Sequence, residues 1–593
     1  MWVAAGCGWR RREWGVSFLV VADDAARPGA VVVVAVSDQG APGDRTVVDA
    51  RELPALVAAR EQDRPRWVWD DTDRWYPPLL AAGSRVERAY DLRLCHAILR
   101  RSATCDRSGL ALAPAGLWDE ARRQEHALPE LTLFDDPASA ATPTAGADGD
   151  GGGANLGGVL DDVARLDGKL DVVDELAAQL AAVAGSRAPG RLRLLLAAES
   201  TGALIAAEMH HDGMPWSVDV HDALLTRALG ARPVHGGRPP RLDELAAQVR
   251  AALGNPSVNV DSPPELLRAL RSAGLDVATT RTGELREQTH PVVAPLLAYK
   301  KLARLLSANG WSWMQAWVHE GRFRPQYVPG GVVTGRWATN GGGALQLPAS
   351  VRAAVRADPG WKLVVADAAQ LEPRVLAAMS GDAAMAAAGR HADLYQGVVD
   401  AGIVDTRAEA KYAMLGAIYG ATTGPSAVLM PQLTRAFPRA VALVEDAARA
   451  GERGEVVSTW LGRSSPLPGA AWQEVVARAE GELARPDDVR AARGRRRDWG
   501  RFTRNFVVQG TAAEWALCWM AALRRRLLAL DGRPHLIFFL HDEVMVHAPA
   551  AAADDVAAAI VAAAAEAGRL LFGDGPVDFA LDVSVVDSYD QAS

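Results

Sequence analysis

Two acidic side chains lie in a short polar segment between apolar runs. In Leu540–Val544, Asp542 and Glu543 separate the apolar run 536–540 from the run 544–546. This pattern predicts a strand, a tight turn and a second strand, with both carboxylates at the tip. Burying adjacent carboxylates is costly unless a cation or hydrogen-bond donors compensate, so the pair suits a solvent-accessible metal site. Taken alone, an exposed polar hairpin tip is the commoner explanation.

A second candidate metal ligand follows another apolar run. Asp367 ends the predicted strand 361–366 and precedes helix-like sequence that contains Gln370 and Glu372. Two aspartates from separate strands, here Asp367 and Asp542, can hold two Mg²⁺ ions about 3.5 to 4 Å apart, as in-line phosphoryl transfer requires. The alternative is that Asp367 is a helix N-cap.

A third set of residues recurs every fourth position. Arg407, Lys411, Leu415 and Tyr419 fall on one face of a predicted helix that stops at Gly420. Two cations and a tyrosine on one stripe suit a triphosphate and a nucleobase. The alternative is a surface stripe, although its two cations would repel each other.

The elements that must position these residues change in character along the chain. Strands at 16–21, 30–36 and 67–69 alternate with helical sequence such as 53–60, which is an α/β pattern. The stretch 135–158 is rich in Ala, Gly, Asp, Pro and Thr, and is predicted to be a flexible loop or linker.

Later segments are mostly helical, with strands near the C-terminus. Helices are predicted at 160–184, 192–211, 242–253, 264–273, 295–306, 407–418, 439–450, 510–530 and 553–567. Strands are predicted at 361–366, 536–540 and 544–547. Ser262 is the candidate N-cap of the helix at 264–273.

Composition and charge set limits on the class of protein. The 593 residues suggest about three to five domains, and a 49% hydrophobic, 23% charged composition is globular. The net charge of −8 gives no overall footprint for nucleic acid, but the segment 490–504 carries seven arginines against the single acid Asp498. That segment could attract phosphates, or it could be a solvated helix face or loop.

Cysteines and apolar runs give no sign of export or membrane insertion. Cys7, Cys95, Cys105 and Cys518 lack zinc or disulfide spacing, so a reducing cytoplasm is expected. The apolar stretch 16–22 after three arginines is interrupted by acids and is interpreted as a buried strand, not a signal peptide. No uninterrupted apolar run reaches the roughly 18 residues that a membrane span needs.

Taken together, the three chemical segments resemble a known family. Residues 367–374 resemble motif A of family A (Pol I-like) DNA polymerases, 407–420 resemble its motif B fingers helix, and 541–543 resemble its motif C. They occur in the family's order. Further likenesses lie at 334–336 and 345–348, at Arg501, Asn505 and 509–513, and, in the thumb, at 259–263 and 296–300. The resemblance runs from about Leu192 to the C-terminus, and the joint pattern is specific where each motif alone is not.

The resemblance implies a role for each matching residue. Asp367 and Asp542 would bind two Mg²⁺ ions, with Mn²⁺ as a possible substitute, while Glu543 supports the site and His541 lies near the primer end. Lys411 would neutralise the leaving pyrophosphate and could protonate it. The implied dNTP-binding residues are Arg407, Lys411, Leu415, Tyr419, Gln370, Glu372 and Tyr395. The implied DNA-binding residues are Arg336, Gln346, Arg501, Asn505, Gln509 and His541.

Nucleotide selection depends on a few of these positions. The resemblance implies that Glu372 packs under the sugar and excludes a 2′-hydroxyl as a steric gate. Leu415 replaces the aromatic residue usual on the fingers helix, and Tyr395 stands where the family typically has histidine. Pro373 also enters motif A. These departures bear on nucleotide affinity and sugar discrimination.

The implied architecture is multidomain, α/β and α+β, with a right-hand polymerase and an RNase H-like N-terminal domain. In the N-terminal domain at 1–190, residues 67–73 and 90–93 resemble a remnant of the family's 3′-5′ exonuclease domain. The resemblance is to a degenerate form, because the expected first strand, 17–24, lacks the Asp-x-Glu pair that would bind metal. The polymerase domain spans 191–593. Its expected subdomains are a thumb at about 230–325, a palm at about 191–229, 326–390 and 505–593, and fingers at about 391–504. A chain of this length is expected to have no room for the family's separate 5′ nuclease domain.

The expected function is template-directed addition of dNTPs to a primer 3′-hydroxyl in replication or repair, without proofreading. Primer-template DNA and dNTPs are the expected partners of a monomer that has no membrane association and lies in the bacterial cytoplasm, associated with the nucleoid. One alternative is a DNA-binding repair or scaffold protein with a weakly active polymerase fold. Another is a nuclease that acts through the N-terminal domain.

Overall fold

The N-terminal part of the chain contains a mixed five-stranded sheet. The structure, a computed structural model, describes residues 18–120, 171–234, 236–390, 393–420 and 424–592. The strands of this sheet are β1 (Phe18–Asp23), β2 (Ala30–Val36), β3 (Pro42–Asp49), β4 (Arg66–Trp69) and β5 (Ala89–Asp91). Their order is β3-β2-β1-β4-β5, with β1 antiparallel to β2 and parallel to β4. The Val-rich runs of β1 and β2 favour strands because β-branched side chains suit a pleated surface.

Short helices cover this sheet. They are α1 (Leu53–Arg60), α2 (Thr72–Ala81), α3 (Leu92–Leu99), α4 (Gly109–Leu112), α5 (Leu117–Glu120) and α6 (Val172–Ala184). Trp67 and Trp69 of β4 and Tyr76 of α2 are fully buried between the layers. The predicted α/β character of this region is confirmed.

A long buried helix joins the N-terminal layer to the rest of the chain. Helix α7 (Pro189–Asp212) is apolar on most sides and packs against α2, β5 and the helix Pro486–Leu527. Glu208 of α7 accepts hydrogen bonds from Arg524 Nε at 2.8 Å and from the Tyr76 hydroxyl at 2.5 Å. Arg524 also donates to the Val86 carbonyl at 2.6 Å, so hydrogen bonds from Tyr76 and to Val86 join this buried ion pair to the N-terminal layer.

The next region is mostly helical and contains two small sheets, one of three short strands and one of two. Its helices are α8 (Val218–Leu229), α9 (Pro240–Ala252), α10 (Pro263–Ser272), α11 (Thr282–Arg286), α12 (Val293–Asn309) and α13 (Trp311–Trp317). Its strands are β6 (Met214–Pro215), β7 (Val318–His319), β8 (Arg322–Phe323), β9 (Tyr327–Val328) and β10 (Ala338–Thr339). Ser262 does precede α10, but its side chain makes no capping hydrogen bond; the proline at the start of the helix removes one of the N–H groups that a cap would serve.

An antiparallel four-stranded sheet forms the C-terminal core. It consists of β11 (Trp361–Ala368), β12 (His535–Leu540), β13 (Glu543–Pro549) and β14 (Leu581–Val586), in the order β12-β13-β11-β14. Strands β12 and β13 form the predicted hairpin, and β11 pairs with β13 so that Asp367 lies opposite Glu543.

Helices pack on this sheet and extend beyond it. They are α14 (Leu371–Ser380), α15 (Ala383–Ala388), α16 (Leu394–Asp400), α17 (Arg407–Tyr419), α18 (Gly424–Ala436), α19 (Pro438–Glu452), α20 (Ala470–Glu480), α21 (Pro486–Leu527) and α22 (Ala553–Phe572). The apolar half of α21 is long enough to cross a membrane, but 89% of that window is buried inside the protein.

The prediction of a helix at 510–530 was wrong at its start. Helix α21 begins at Pro486 and is 42 residues long, so the basic run 490–504 is helical. The alternative of Asp367 as a helix N-cap is also wrong, because Asp367 lies within β11 and α14 starts at Leu371. The predicted linker 135–158, the first part of the predicted helix 160–184 and Cys7 lie outside the described residues.

Candidate active site

The tip of the β12–β13 hairpin carries three of the predicted site residues. His541 adopts a left-handed conformation with φ of 58°, which closes the turn between Leu540 and Glu543. The carbonyl oxygen of Asp542 accepts a hydrogen bond from the Ala368 N–H at 2.9 Å. The hairpin tip therefore sits directly on the end of β11, next to Asp367.

Negative charge outweighs positive charge around the two aspartates, although Arg336 partly offsets the shift in the pKa of Asp542. Burial raises the pKa of Asp542 to about 7, and the negative charge of Asp367 adds to this shift. Burial likewise raises the pKa of Asp367. Asp582, opposite Asp367 on β14, adds to the shift of Asp367. Partly buried carboxylates whose charge is destabilised by neighbouring acids are hard oxygen donors of the kind that Mg²⁺ prefers.

This donor set fits a divalent cation only in part. Within the described residues, no group of three or more His, Cys, Asp or Glu side chains could enclose a metal ion. Mg²⁺ is usually held by one or two carboxylates together with water and substrate phosphates, so a two-aspartate site is consistent with this metal.

Glu543, opposite Asp367, has a hydrogen-bond partner of its own. Its carboxylate accepts a hydrogen bond from the Tyr589 hydroxyl. The guanidinium of Arg352 lies 4.3 Å from the centre of the Tyr589 ring. Burial raises the pKa of Glu543 despite this hydrogen bond. Glu543 is therefore placed to support the hairpin next to Asp367.

A cavity of about 200 Å³ opens beside the hairpin tip. The predicted residues that line it are Arg336, Gln370, Glu372, Tyr395, Leu415, Tyr419, His541 and Asp542. Trp337, Leu517 and Phe539 also line it, and nothing in their local sequence marked them as site residues. The cavity thus brings together residues from all three chemical segments of the sequence.

Glu372 connects three parts of the cavity wall. Its two carboxylate oxygens accept hydrogen bonds from the guanidinium of Arg336 and from the hydroxyl of Tyr419. Nearby, Gln370 adopts φ of 50° just before α14, and its amide oxygen accepts from the Leu394 N–H at 3.0 Å. These contacts fix the floor of the cavity to both α16 and α17.

The four residues predicted to share one face of helix α17 lie in two different environments. A capping box between Thr406 and Glu409 starts the helix, and Gly420 ends it with φ of 70°. Leu415 and Tyr419, in the second half, line the cavity. The first half carries the two cations of the stripe, which are exposed and do not line it.

The cations at the mouth have different surroundings. Arg407 donates to Asp393 at 2.5 Å, and its guanidinium lies 5.6 Å from the centre of the Tyr395 ring. Burial raises the pKa of Tyr395 to about 12, and the charge of Glu372 adds to this shift. Lys411 is exposed on the next turn of α17. A triphosphate could bind both cations if the ion pair between Arg407 and Asp393 were replaced by one between Arg407 and a phosphate oxygen.

His541 keeps contact with solvent at the hairpin tip, but the protein around its ring lowers its pKa. The positive charge of Arg336 contributes to this shift. A neutral imidazole at the hairpin tip can donate or accept one hydrogen bond without adding charge next to the aspartates.

Comparison with known proteins assigns the chain to a family. The model of DNA polymerase family A matches residues 239–590, which is more than half of the chain. The chain belongs to DNA polymerase family A. The suspected resemblance is thereby confirmed.

Curated relatives of this family A chain are bacterial. DNA polymerase I of Chloroflexus aurantiacus is 28% identical over 323 residues, which cover 49% of this chain and 32% of the relative. The thermostable DNA polymerase I of Thermus thermophilus is 28% identical over 346 residues, which cover 52% of this chain and 39% of the relative. The aligned part of this chain thus spans between about a third and two fifths of the length of these relatives.

A solved structure shares the fold over nearly the whole chain. The POL domain of Pol1 from M. smegmatis, in complex with a DNA primer-template and dNTP, matches with a TM-score of 0.61 and 18% sequence identity. The match covers 98% of this family A chain and 96% of that domain. The expected right-hand fold class is confirmed.

The remaining predicted DNA contacts of this family A member lie outside the cavity. Arg501, Asn505 and Gln509 follow one another at every fourth position of α21, so they share one face of that helix. Arg501 is exposed, whereas Gln509 is buried and hydrogen-bonds with Tyr419. The Oδ1 atom of Asn505 is buried without a hydrogen-bond partner among the described residues. Gln346 is exposed on the segment after β10.

A buried charged cluster behind the cavity was not predicted. Glu199 of α7 and Glu514 of α21 are each 1% exposed and lie near Arg463. Burial raises the pKa of Glu514 to about 7, while Arg463 opposes the shift. The only signal in the sequence was that Glu514 directly follows the segment 509–513.

Proposed function

We propose that this chain is a template-directed DNA polymerase that adds dNTPs to a primer 3′-hydroxyl. The observation that carries the proposal is the junction of Asp367, near the end of β11, with Asp542, in the turn between β12 and β13. The two meet beside a cavity lined by Glu372 and Tyr419. Membership of DNA polymerase family A supports the same activity.

Asp367 and Asp542 would hold the two divalent cations, Mg²⁺ or Mn²⁺. Such metals activate the primer hydroxyl and stabilise charge on the transferred phosphoryl group. Glu543, anchored by Tyr589, keeps the hairpin in place. The raised pKa of Asp542 supports this assignment, because a bound cation would offset the repulsion between its carboxylate and that of Asp367.

Arg407 and Lys411 would bind the triphosphate at the mouth of the cavity. Both are exposed and lie one helical turn apart on α17. Lys411 would neutralise the leaving pyrophosphate and could donate a proton to it. Leu415, Tyr419, Gln370 and Tyr395 would surround the base and sugar, since these side chains line the cavity further in.

Glu372 would act as the steric gate against ribonucleotides. It lines the cavity and is fixed by hydrogen bonds from Arg336 and Tyr419, so its carboxylate cannot swing aside without breaking both. A rigid group beside the 2′ carbon discriminates by volume, which is the property that the gate requires.

Primer-template DNA would contact Arg336, Gln346, Arg501, Asn505, Gln509 and His541. The alignment of three of them on one face of α21 supports a track along this helix. On this assignment the N-terminal domain spans 1–190, the thumb about 230–325, the fingers about 391–504, and the palm about 191–229, 326–390 and 505–593.

The N-terminal domain would not proofread. Arg74 donates to Asp23 at the end of β1 at 2.5 Å and to Asp70 beyond the end of β4 at 3.0 Å. Arg93 pairs with Asp71 at 3.0 Å. Guanidinium groups therefore occupy the carboxylates that a two-metal exonuclease would need for its cations.

We infer that the enzyme works as a monomer in the bacterial cytoplasm, near the nucleoid, in replication or repair. The bacterial DNA polymerase I relatives support this setting.

Primer extension tests the proposed function. A 5′-labelled primer on a template of known sequence is incubated with Mg²⁺ and each dNTP singly, then with all four, on intact, gapped and damaged templates. Addition only of the nucleotide complementary to the template is expected. DNA binding without extension would instead favour a scaffold protein with a weakly active fold, for which the unusual Leu415 and Tyr395 provide a reason.

A further inference from the structure

A tight turn delivers Arg336 to the cavity. Val332 donates its N–H to the carbonyl of Arg336 at 3.1 Å, and Gly335 donates to the carbonyl of Val332 at 2.8 Å. Arg336 then extends its guanidinium to Glu372. The position of Arg336 therefore depends on what holds the turn 332–336 in place.

A buried ion pair lies directly beneath this turn. Arg463 donates to Glu199 at 2.7 Å, and the two side chains are only 11% and 1% exposed. A Cβ atom at Gly335 would lie 2.5 Å from Nε of Arg463, and a Cβ atom at Gly330 would overlap the Glu199 carboxylate. Both glycines also have positive φ values, of 88° and 63°. The backbone just before the turn, at Gly330, and within it, at Gly335, is thus in van der Waals contact with the ion pair.

Arg463 is itself anchored to helix α21. The Arg463 N–H donates to the Thr459 hydroxyl oxygen at 3.0 Å, and the Thr459 N–H donates to the Arg463 carbonyl at 2.8 Å. The Thr459 hydroxyl in turn donates to Glu514, which also accepts from the Leu461 N–H at 2.9 Å. The loop 459–463 is therefore held against α21 by hydrogen bonds to Glu514.

The same helix contacts the turn from the other side. A Cβ atom at Gly510 would lie 3.1 Å from the carbonyl oxygen of Thr334 and would overlap Thr459. Only a glycine at this position lets the turn, the loop and the helix come together. Helices α7 and α21 and the loop 459–463 thus form one support under residues 332–336.

We propose that Arg463 and Glu199 are positioning residues for Arg336: their buried ion pair holds the turn 332–336 and so fixes Arg336 against Glu372. This inference rests on the proposed polymerase function for its kinetic consequence. Neither Arg463 nor Glu199 lines the cavity, so both act on nucleotide addition only through the turn.

The first test measures nucleotide addition in a double-mutant cycle. Arg463→Lys keeps the buried positive charge but loses the planar guanidinium that hydrogen-bonds to Glu199 and packs against Gly335. We expect this variant and Arg336→Ala each to lower kcat/KM for dNTP by about tenfold or more, since small misplacements in a site cost rate. Combined, the two changes should lower kcat/KM by no more than about twofold beyond Arg336→Ala alone. Glu199→Gln, which retains volume, should show the same dependence on Arg336.

Arg453→Ala serves as the matched control. Arg453 forms an exposed pair with Glu455 in the segment before Thr459, so its removal should leave kcat/KM unchanged. The proposal would be contradicted if the decrease in kcat/KM of the double variant equalled the product of the decreases in Arg463→Lys and Arg336→Ala. Arg463 would then act by a route independent of Arg336.

The second test does not depend on activity. Hydrogen exchange of the amides in residues 330–337 should accelerate by about tenfold or more in Arg463→Lys and Glu199→Gln, while β11 and β13 keep wild-type protection. Unchanged exchange in the turn would overturn the proposal even if the variants were slow. A wild-type chain without primer extension would refute the proposed function, and the exchange data would still decide whether Arg463 holds the turn.

Discussion

Tyr419 donates its phenolic hydroxyl to the carboxylate of Glu372, although the two residues are 47 positions apart and lie on different helices. The pKa of Tyr419 is raised by burial and by the negative charge of Glu372, so the hydroxyl keeps its proton for this hydrogen bond. The contact closes one side of the cavity and gives the proposed sugar gate a fixed position.

Replacement of Glu372 by alanine is expected to admit ribonucleotides. Removal of the carboxylate opens volume beside the 2′ carbon, so the ratio of rNTP to dNTP kcat/KM should rise by about tenfold or more. Glu372→Gln retains the volume and is the matched control, for which we expect a ratio close to wild type. Single-turnover incorporation of each nucleotide measures the ratios, and equal selectivity in wild type and Glu372→Ala would count against the assignment of the gate.

The protein is expected not to shorten a mismatched primer. The carboxylates at the ends of β1 and β4 are paired with Arg74, and Asp71 is paired with Arg93. Among the described residues of this domain, no group of three or more acids could hold a metal ion. A 5′-labelled primer with a 3′ mismatch should stay intact with Mg²⁺ or Mn²⁺ and no dNTPs. Stepwise shortening that persists in Asp542→Ala, and is lost when Asp70, Asp71 and Asp73 are replaced, would reveal a working exonuclease.

Glu514 is expected to make stability depend on pH. Burial raises its folded pKa to about 7 from an ordinary value of 4.5, against the opposing effects of the Thr459 hydroxyl, the Leu461 N–H and Arg463; the nearby Glu199 adds to the increase. The folded protein therefore holds this proton more tightly than the unfolded chain. Below pH 4.5 this proton contributes about 3 kcal/mol to the free energy of unfolding. That contribution is lost as the pH rises through about 7.

Thermal unfolding of wild type and Glu514→Gln between about pH 5 and about pH 8 checks this linkage. The melting temperature of wild type should fall relative to that of the variant as the pH rises. Parallel curves would show that the Glu514 carboxyl is not protonated in the folded protein.

The sequence was sufficient to predict the elements whose ends carry the candidate site residues. Asp367 and Asp542 end apolar runs, so both the strands and the placement of the carboxylates at their ends could be predicted. Helix α17 was predicted to within one residue because its four-residue spacing and Gly420 mark the same element.

Other features depend on contacts that no local pattern encodes. Arg463 and Glu199 are 264 positions apart, so their pairing arises only from tertiary packing. The first half of α21 was missed because its charged residues and Gly494 and Gly500 hide any apolar periodicity, although the helix is continuous there. The position of Arg407 and Lys411 outside the cavity likewise depends on how α17 is oriented in the fold.

The most direct test of the central claim is primer extension by Asp367→Ala and Asp542→Ala, with DNA binding measured in parallel. The control is Asp587→Ala, which removes an exposed carboxylate that accepts from Lys362 at 2.7 Å on the same sheet. We predict that wild type and the control extend the primer with Mg²⁺, whereas both aspartate variants bind primer-template with nearly wild-type affinity and add no nucleotide, because each has lost a metal ligand and not a phosphate contact. Turnover retained in either aspartate variant would contradict the account.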